Sequence, residues 1–233
     1  MKKNRDKNVF VPNIVNELMS IDPLRGKEFI AIWTKGLGVG RDRTHFKDFD
    51  DYLDYRWVDV GSFLTASLVI FGMCLTIPPE EEKDFWRITR PIWVAEALTN
   101  DLQSWNKELV QTQDKTDMAN SIWVLMKQYS IDIDDAKSRI RRRIRESVAE
   151  YLDSLRHLYT RNKLSPDTAR LVEAMQYMHS SNLYWGNSAP RYHQDRSLTD
   201  FQIAREKNGW PYGSMDRVGD PNDSKDPERN EIV

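Results

Sequence analysis

The chain has 233 residues, a net charge of −2 and a single cysteine. This charge balance supplies no positive field that would recruit nucleic acid or an anionic membrane, and one cysteine excludes an internal disulfide. The 39% hydrophobic content is enough for one globular domain with a core. We expect a cytoplasmic protein, because the charged first residues lack the apolar stretch of a signal peptide and the most apolar run, residues 63–77, is too short to span a bilayer.

The first elements in chain order are two short helices. Residues 1–8 are polar and are predicted to be disordered, whereas the residues from Ile14 to Leu18 show helical spacing. Asp22-Pro23 predicts a helix break, and a second helix is predicted from Pro23 to about Lys35. The glycine-rich segment 36–40 should end that helix as a flexible turn. It does not match a dinucleotide-binding loop, because the third glycine is misplaced and no strand precedes it.

The middle of the chain predicts two longer helices. One runs from Arg56 to about Leu75 and is interrupted near Val60-Gly61, where a glycine costs up to about 1 kcal/mol relative to alanine and indicates a kink. The other runs from Phe85 to Glu108, with Pro91 expected to kink or divide it. A polar loop is expected from Glu108 to Thr116.

Three features predict the organisation of the remaining residues. Helices are expected over 120–129, from Ile133 and after the cap Ser165-Pro166. The basic run 139–145 favours a solvated amphipathic helix over a nucleic-acid patch, because its two isoleucines share one face and acidic residues follow. Residues 208–233 are rich in Gly, Pro, Asp and Asn and are predicted to be a disordered tail or linker.

A polar stripe on the helix that ends near Glu108 is the most informative pattern. Asn100, Ser104 and Glu108 stand four residues apart, which stacks an amide, a hydroxyl and a carboxylate on one helix face. These oxygen ligands suit Mg²⁺, which keeps water and substrate phosphates in its remaining positions. A solvated polar face is the alternative.

The segment Asn-Asp-x-x-Ser-x-x-x-Glu at 100–108 resembles the second metal-binding motif of class I terpene cyclases. The segment 56–61, Arg-Trp-Val-Asp-Val-Gly, is similar to the diphosphate-sensing arginine of that family, its linker aspartate and the helix break after it. The segment 185–192, Trp-Gly-Asn-Ser-Ala-Pro-Arg-Tyr, is similar to its closing Arg-Tyr pair. Residues 120–136 resemble the helix after the metal motif in fungal members. The whole resemblance covers about residues 9–205 and points to the cyclase domain of fungal bifunctional diterpene and sesterterpene synthases.

This resemblance implies an all-α fold, an antiparallel helical bundle of the isoprenoid synthase type, with a cyclase domain over 9–207. It implies roles for three groups of residues. Mg²⁺ would be held by Asn100, Ser104 and Glu108. The diphosphate would be bound by Arg56, Lys107, Arg191 and Tyr192.

The third group would act during ionisation. Asp59 would orient Arg56, the carbonyl of Val60 would favour the developing cation, and Trp185 would present an aromatic face to it. Alternatives remain open for single residues: a surface salt bridge for Arg56, an exposed lysine for Lys107 and core packing for Trp185.

The segment Asp50-Asp51-Tyr52-Leu53-Asp54 has the spelling of the family's first metal motif. It lies only two residues before Arg56, whereas the family places that motif on an earlier helix. We therefore interpret Asp50 and Asp51 as acidic residues near a helix N-terminus, where the dipole favours negative charge. Because no other such motif precedes it, we expect that the helices carrying the first motif are missing, through truncation or loss.

The predicted function is a Mg²⁺-dependent terpene cyclase that ionises a linear prenyl diphosphate (geranylgeranyl or geranylfarnesyl diphosphate), cyclises the carbocation and releases diphosphate. One alternative is a truncated or inactive relative that binds diphosphate without turnover. Another is a helical interaction module. Slow turnover is expected if the first motif is absent, and exposed apolar faces would favour homo-oligomers. The resemblance also implies a natural link to a prenyltransferase domain, and no nucleic-acid or membrane partner is expected.

Overall fold

The computed structural model describes residues 7–37, 43–112, 118–158, 164–189 and 191–192. In these segments all regular secondary structure is helical, which confirms the predicted all-α class. A 3₁₀ turn covers Pro79–Glu81. The α-helices of the described segments are α1 Lys7–Ile21, α2 Pro23–Leu37, α3 Phe49–Asp59, α4 Ser62–Gly72, α5 Glu82–Thr112, α6 Ser121–Tyr129, α7 Ile133–Arg156 and α8 Pro166–Ser188.

Local capping sets most of the helix boundaries. The Asp22 carboxylate accepts hydrogen bonds from the backbone N–H groups of Leu24 and Arg25, both at 3.1 Å, so the break before Pro23 also begins α2. The predicted cap Ser165 accepts from the N–H of Thr168 at the start of α8. Because α1 begins at Lys7, the last two residues of the segment 1–8 are helical; residues 1–6 and the tail 208–233 lie outside the described residues.

Helix α5 is the central element of the bundle. It has 31 residues, about 46 Å at 1.5 Å per residue, and it packs against α3, α6, α7 and α8. Its first half lies in a core cluster with α4, α7 and α8, and its second half lies in a cluster with α3, α6 and α7. Helices α3 and α8, which carry predicted site residues, therefore both pack against α5.

The structure limits one prediction for α5 and corrects another. Of the two outcomes predicted at Pro91, a kink or a division, division does not occur, because Ile88, Ile92 and Trp93 around it are at most 4% exposed and their burial holds the helix together across the missing backbone hydrogen bond. The loop expected from Glu108 starts later, since α5 continues to Thr112. Residues 113–117 lie outside the described residues.

The basic segment of α7 is amphipathic, as predicted. Ile140 is fully buried and Ile144 packs against the core. On the solvent side, Arg143 forms an ion pair with Glu150 at 2.9 Å. Among the helices of the described segments, none combines the length and apolar character that a bilayer span requires.

Candidate active site

The predicted interruption near Val60 is confirmed as a break between two helices. Helix α3 ends at Asp59 and α4 begins at Ser62, with Gly61 between them at φ +98°, a backbone conformation that side chains disfavour. The N–H groups of Val60 and Gly61 still donate to the carbonyls of Arg56 and Val58, at 2.9 and 3.1 Å. A cavity of about 110 Å³ lies beside the break. It is lined by Trp33, Gly36, Leu37, Val58, Asp59, Gly61, Phe63 and Leu64.

Arg56 is buried at this break rather than lying on the surface. Only 8% of the residue is exposed, and its guanidinium meets three different partners. Nη1 donates to Asp59 at 2.8 Å, Nη2 donates to the Asn100 amide oxygen at 2.9 Å, and Nε donates to Asp101 at 3.1 Å. The arginine therefore joins the end of α3 to the polar stripe of α5.

Asp101 is a functional candidate that sequence reasoning missed. Its fully buried carboxylate accepts from Arg56 on Oδ1, and on Oδ2 it accepts from the Tyr52 hydroxyl and from the Ser121 N–H, the latter at 3.0 Å. The signal in the sequence was a charged residue on the core-facing side of an apolar helix, next to the stripe but not on it. A buried carboxylate persists only when it is paired, and here all its neighbours are donors.

The pKa values of Arg56 and Tyr52 follow from their burial beside Asp101. Burial alone would lower the pKa of Arg56, but the charge of Asp101, assisted by Tyr52 and Asp59, raises it above its ordinary value. Burial, and then the charge of Asp101, raise the pKa of Tyr52 well above its ordinary value. The arginine is therefore a permanent cation and the tyrosine a permanent hydroxyl donor at any physiological pH.

The three predicted metal ligands share one face of α5 but have different surroundings. The Asn100 amide oxygen accepts from Arg56, and its amide nitrogen donates to the Tyr192 hydroxyl at 3.0 Å. Ser104 is 3% exposed, and its hydroxyl has no hydrogen-bond partner among the described residues. One oxygen of Glu108 accepts from the Asn120 amide at 3.0 Å.

Helix α8 brings the Arg-Tyr pair to this face. The chain turns after α8 through hydrogen bonds from the Ala189 N–H to Trp185 and from the Tyr192 N–H to Ala189, at 2.7 and 3.0 Å. The Tyr192 ring then lies edge-to-face against Trp185 at 5.6 Å, and the Arg191 guanidinium lies 5.8 Å from the centre of the same ring. Arg56 and Tyr192 consequently bond to the same side chain, Asn100, although they are far apart in sequence.

A glycine permits the close approach of α8 to α5. A Cβ atom added to Gly186 would lie 1.9 Å from the side-chain oxygen of Gln103, well inside contact distance. Gln103 in turn donates to the Leu183 carbonyl at 3.3 Å. The absence of a side chain at Gly186 thus leaves room for the Gln103 amide between α5 and α8.

Glu96 and His179 face each other one helical turn before Asn100. The His179 Nδ1 atom lies 3.4 Å from the Glu96 carboxylate, and the two side chains are only 13% and 14% exposed. Burial raises the pKa of Glu96, although His179, Asn182 and Arg56 act in the opposite direction. This pair also ties α8 to α5.

The remaining predicted residues do not join this contact group. Lys107 is half-buried and makes no hydrogen bond or ion pair with the described residues. Asp50 and Asp51 lie in the first turn of α3 beside its cap Asp48, which confirms the predicted position at a helix N-terminus. Asp51 is bonded to Arg43 and Asp54 to Arg90, so these carboxylates point to separate partners.

The donor set of the stripe fits a magnesium ion. No group of three His, Cys, Asp or Glu side chains in the described segments could hold a metal, so a metal at this position would depend on amide and hydroxyl oxygens. The Ser104 hydroxyl is one of ten buried side-chain N or O atoms of the described segments without a hydrogen-bond partner, and on the stripe it is compatible with a bound ligand. One amide, one hydroxyl and one carboxylate leave room for water and phosphate oxygens, as Mg²⁺ requires.

Comparisons with known proteins identify the family to which the chain is related. Residues 39–150 match the family model for terpene synthase family 2, C-terminal metal binding. The chain is 50% identical over 212 residues to phomopsene synthase of Phomopsis amygdali, covering 90% of this chain and 29% of that protein. It is 35% identical over 210 residues to a bifunctional sesterterpene synthase of Aspergillus aculeatus, covering 88% and 30%.

The fold is similar to that of a solved synthase. Aristolochene synthase of Penicillium roqueforti superposes with a TM-score of 0.64 at 18% identity, covering 75% of this chain and 59% of that one. The chain spans less than a third of the length of the two curated relatives. Sequence and fold together show that it belongs to the class I terpene synthases.

Proposed function

We propose that this chain carries the cation- and diphosphate-binding helices of a Mg²⁺-dependent terpene cyclase. Its substrate is a linear prenyl diphosphate, geranylgeranyl or geranylfarnesyl diphosphate, which is ionised and cyclised with release of diphosphate. The observation that carries this proposal is the convergence of Arg56 and Tyr192 on Asn100. Two side chains that we propose to bind diphosphate therefore bond to one side chain that we propose as a metal ligand.

Two carboxylates, those of Asp59 and Asp101, hold Arg56 in position for diphosphate binding. Asp59 holds Nη1, and Oδ1 of Asp101 lies 3.1 Å from Nε and 3.0 Å from Nη2, so the bond from Nη2 to Asn100 is the one that can pass to a diphosphate oxygen while both carboxylates keep the guanidinium in place. That exchange frees the Asn100 amide oxygen to act as a metal ligand. Charge-assisted hydrogen bonds from a forked guanidinium suit phosphate oxygens.

The other basic and aromatic groups act on the same substrate. Arg191, Tyr192 and Lys107 donate to the diphosphate, and Trp185, beside Tyr192, presents its ring to the carbocation. Asn100, Ser104 and Glu108 would hold Mg²⁺, which would neutralise diphosphate charge and so improve the leaving group. At the helix break, the carbonyl of Val60 places partial negative charge near the cation.

Ligand-dependent thermal unfolding tests this proposal. We expect Mg²⁺ with pyrophosphate to raise the melting temperature of the 233-residue chain. A ligand at a hundred times its Kd stabilises a protein by about 2.7 kcal/mol, and at this size 1 kcal/mol corresponds to about 2–4 °C. Asn100→Ala should abolish the shift. Asn106→Ala, the same change at an exposed position of α5, should preserve it. A shift that is absent, or equal in Asn100→Ala, contradicts the proposal.

Turnover separates a cyclase from a protein that only binds diphosphate. The chain is incubated with each prenyl diphosphate and Mg²⁺, and hydrocarbon products are analysed by gas chromatography. A cyclised product that disappears in Asn100→Ala supports the cyclase. A thermal shift without product from either substrate supports binding without turnover. If the proposal holds, a prenyltransferase domain is the natural partner that supplies the substrate, as the sequence resemblance implies.

A further inference from the structure

Asn120 lies at the N-terminus of α6, where one side chain makes three hydrogen bonds. Its amide oxygen accepts from the Ile122 N–H at 3.0 Å and caps the helix. Its amide nitrogen donates to the Asp101 backbone carbonyl at 3.1 Å and to the Glu108 carboxylate at 3.0 Å. The residue is completely buried, so solvent does not compete for this amide in the folded structure.

We propose that Asn120 is a positioning residue that orients the Glu108 carboxylate for metal binding. This inference rests on the proposed function, since Glu108 acts there as a metal ligand. The Asn120 amide holds Oε2 of Glu108, which leaves Oε1 to face the cation. Both hydrogens of the amide are used on α5, so its plane is fixed by two acceptors that lie seven residues apart on one helix.

The hydrogen bond matters because Glu108 lies near the end of α5, four residues before its last residue, Thr112. A glutamate has three rotatable side-chain bonds, and ordering them without a partner costs conformational entropy. A neighbouring group that holds one carboxylate oxygen in advance removes part of that cost from metal binding. Groups that orient metal ligands in this way typically change metal affinity 10–100-fold when they are removed.

The same helix terminus also supports the arginine. The N–H of Ser121 donates to Asp101, and Asp101 accepts from Arg56. The start of α6 is therefore bonded to both sides of the candidate site, the metal ligand through Asn120 and the diphosphate-binding arginine through Asp101. Displacing α6 would disturb both, whereas removing the Asn120 amide alone should act mainly on the metal side, because the Asp101 carboxylate keeps its bonds to the Ser121 N–H and to Arg56.

A substitution can separate the capping role from the positioning role. Serine is as good an N-cap as asparagine, but it is too short to reach Glu108 and has no amide donor. Asn120→Ser therefore keeps the cap of α6 and removes the hydrogen bond to Glu108. Asp132→Ser is the matched control, because Asp132 caps α7 through the Asp135 N–H without any contact to the site residues.

The measurement is the Mg²⁺ concentration that gives half of the pyrophosphate-dependent thermal shift. We expect Asn120→Ser to raise this concentration at least tenfold while reaching the wild-type shift at saturating Mg²⁺. Asp132→Ser should leave it unchanged. A purely structural cap would lower the melting temperature without ligand but would not displace the Mg²⁺ curve. If Asn120→Ser does not fold, Asn120→Thr, which caps in the same way and fills more of the space, replaces it.

The outcomes distinguish the two proposals. A wild-type chain without a Mg²⁺-dependent shift removes the proposed function and this inference with it. A wild-type shift whose Mg²⁺ dependence is the same in Asn120→Ser overturns only the role of Asn120. A displaced curve in Asn120→Ser with an unchanged curve in Asp132→Ser supports it.

Discussion

Replacing Asp101 by asparagine should be the most informative single change in the candidate site. The two carboxylate oxygens of Asp101 receive only donors: N–H groups of Arg56 on one, and the Tyr52 hydroxyl and the Ser121 N–H on the other. Asparagine has nearly the same shape, but its NH₂ group must face one of these donors. The change also removes the negative charge that accompanies the buried Arg56.

The expected cost follows from burial. Asp101 is fully buried and the Arg56 side chain is 9% exposed, so solvent screens this pair weakly. Removing one partner of a buried ion pair typically costs about 3–5 kcal/mol. For a domain of this size, 1 kcal/mol lowers the melting temperature by about 2–4 °C. Asp101→Asn should therefore melt roughly 6–20 °C below the wild type.

Thermal unfolding followed by circular dichroism measures this difference. The matched control is Asp54→Asn, because the ion pair of Asp54 with Arg90 is 71% and 44% exposed and should contribute little. In the folded Asp101→Asn variant, pyrophosphate binding should also weaken, since Arg56 loses its anchor on the Nε side. A melting temperature of Asp101→Asn equal to that of Asp54→Asn would refute the argument that Asp101 is the anchor of the site.

Two further predictions concern the contact between α5 and α8. Gly186→Ala should displace the Gln103 side chain and remove its hydrogen bond to Leu183, a loss of about 1 kcal/mol that offsets the similar gain in helix propensity from alanine, so the melting temperature should stay within about 2 °C of the wild type. The control Gly72→Ala adds a Cβ where no atom lies within 4 Å and should be the more stable of the two variants, so a higher melting temperature of Gly186→Ala would contradict this explanation. Because burial raises the pKa of Glu96, the folded chain binds this proton more tightly than the unfolded chain, so its contribution to stability falls as the pH rises above 4.5. Thermal unfolding of the wild type and of Glu96→Gln at a series of pH values tests this. The melting temperature of the wild type minus that of Glu96→Gln should decrease as the pH rises from 4. If this difference instead increases with pH, the ionised carboxylate is stabilised by its neighbours more than burial destabilises it.

Local chemistry was sufficient to predict the helices and the stripe on α5. Capping by Asp22 or Ser165 involves residues two or three positions away, and the spacing of Asn100, Ser104 and Glu108 places them on one face of any regular helix. The break at Gly61 could also be predicted from local chemistry. Glycine tolerates the backbone conformation that the turn requires.

The continuity of α5 through Pro91 could not be predicted from the neighbouring residues in the sequence. Proline disfavours a helix interior wherever the helix stands alone, but burial of the neighbouring side chains between α7 and α8 compensates for the lost hydrogen bond. Sequence spacing also could not show that Asp101, which follows Asn100 but lies off the stripe, is the acceptor that holds Arg56.

The sequence alone determined which helices form and which oxygens share a face, because these properties depend on residues within about one helical turn. Only the tertiary structure decided which side chains meet: Arg56 and Tyr192 on Asn100, and Asn120 on Glu108. The residues in these contacts are 12 to 92 positions apart along the chain, and they meet because of how the helices pack. Local helix propensity depends on neighbouring residues only, so it cannot predict these contacts.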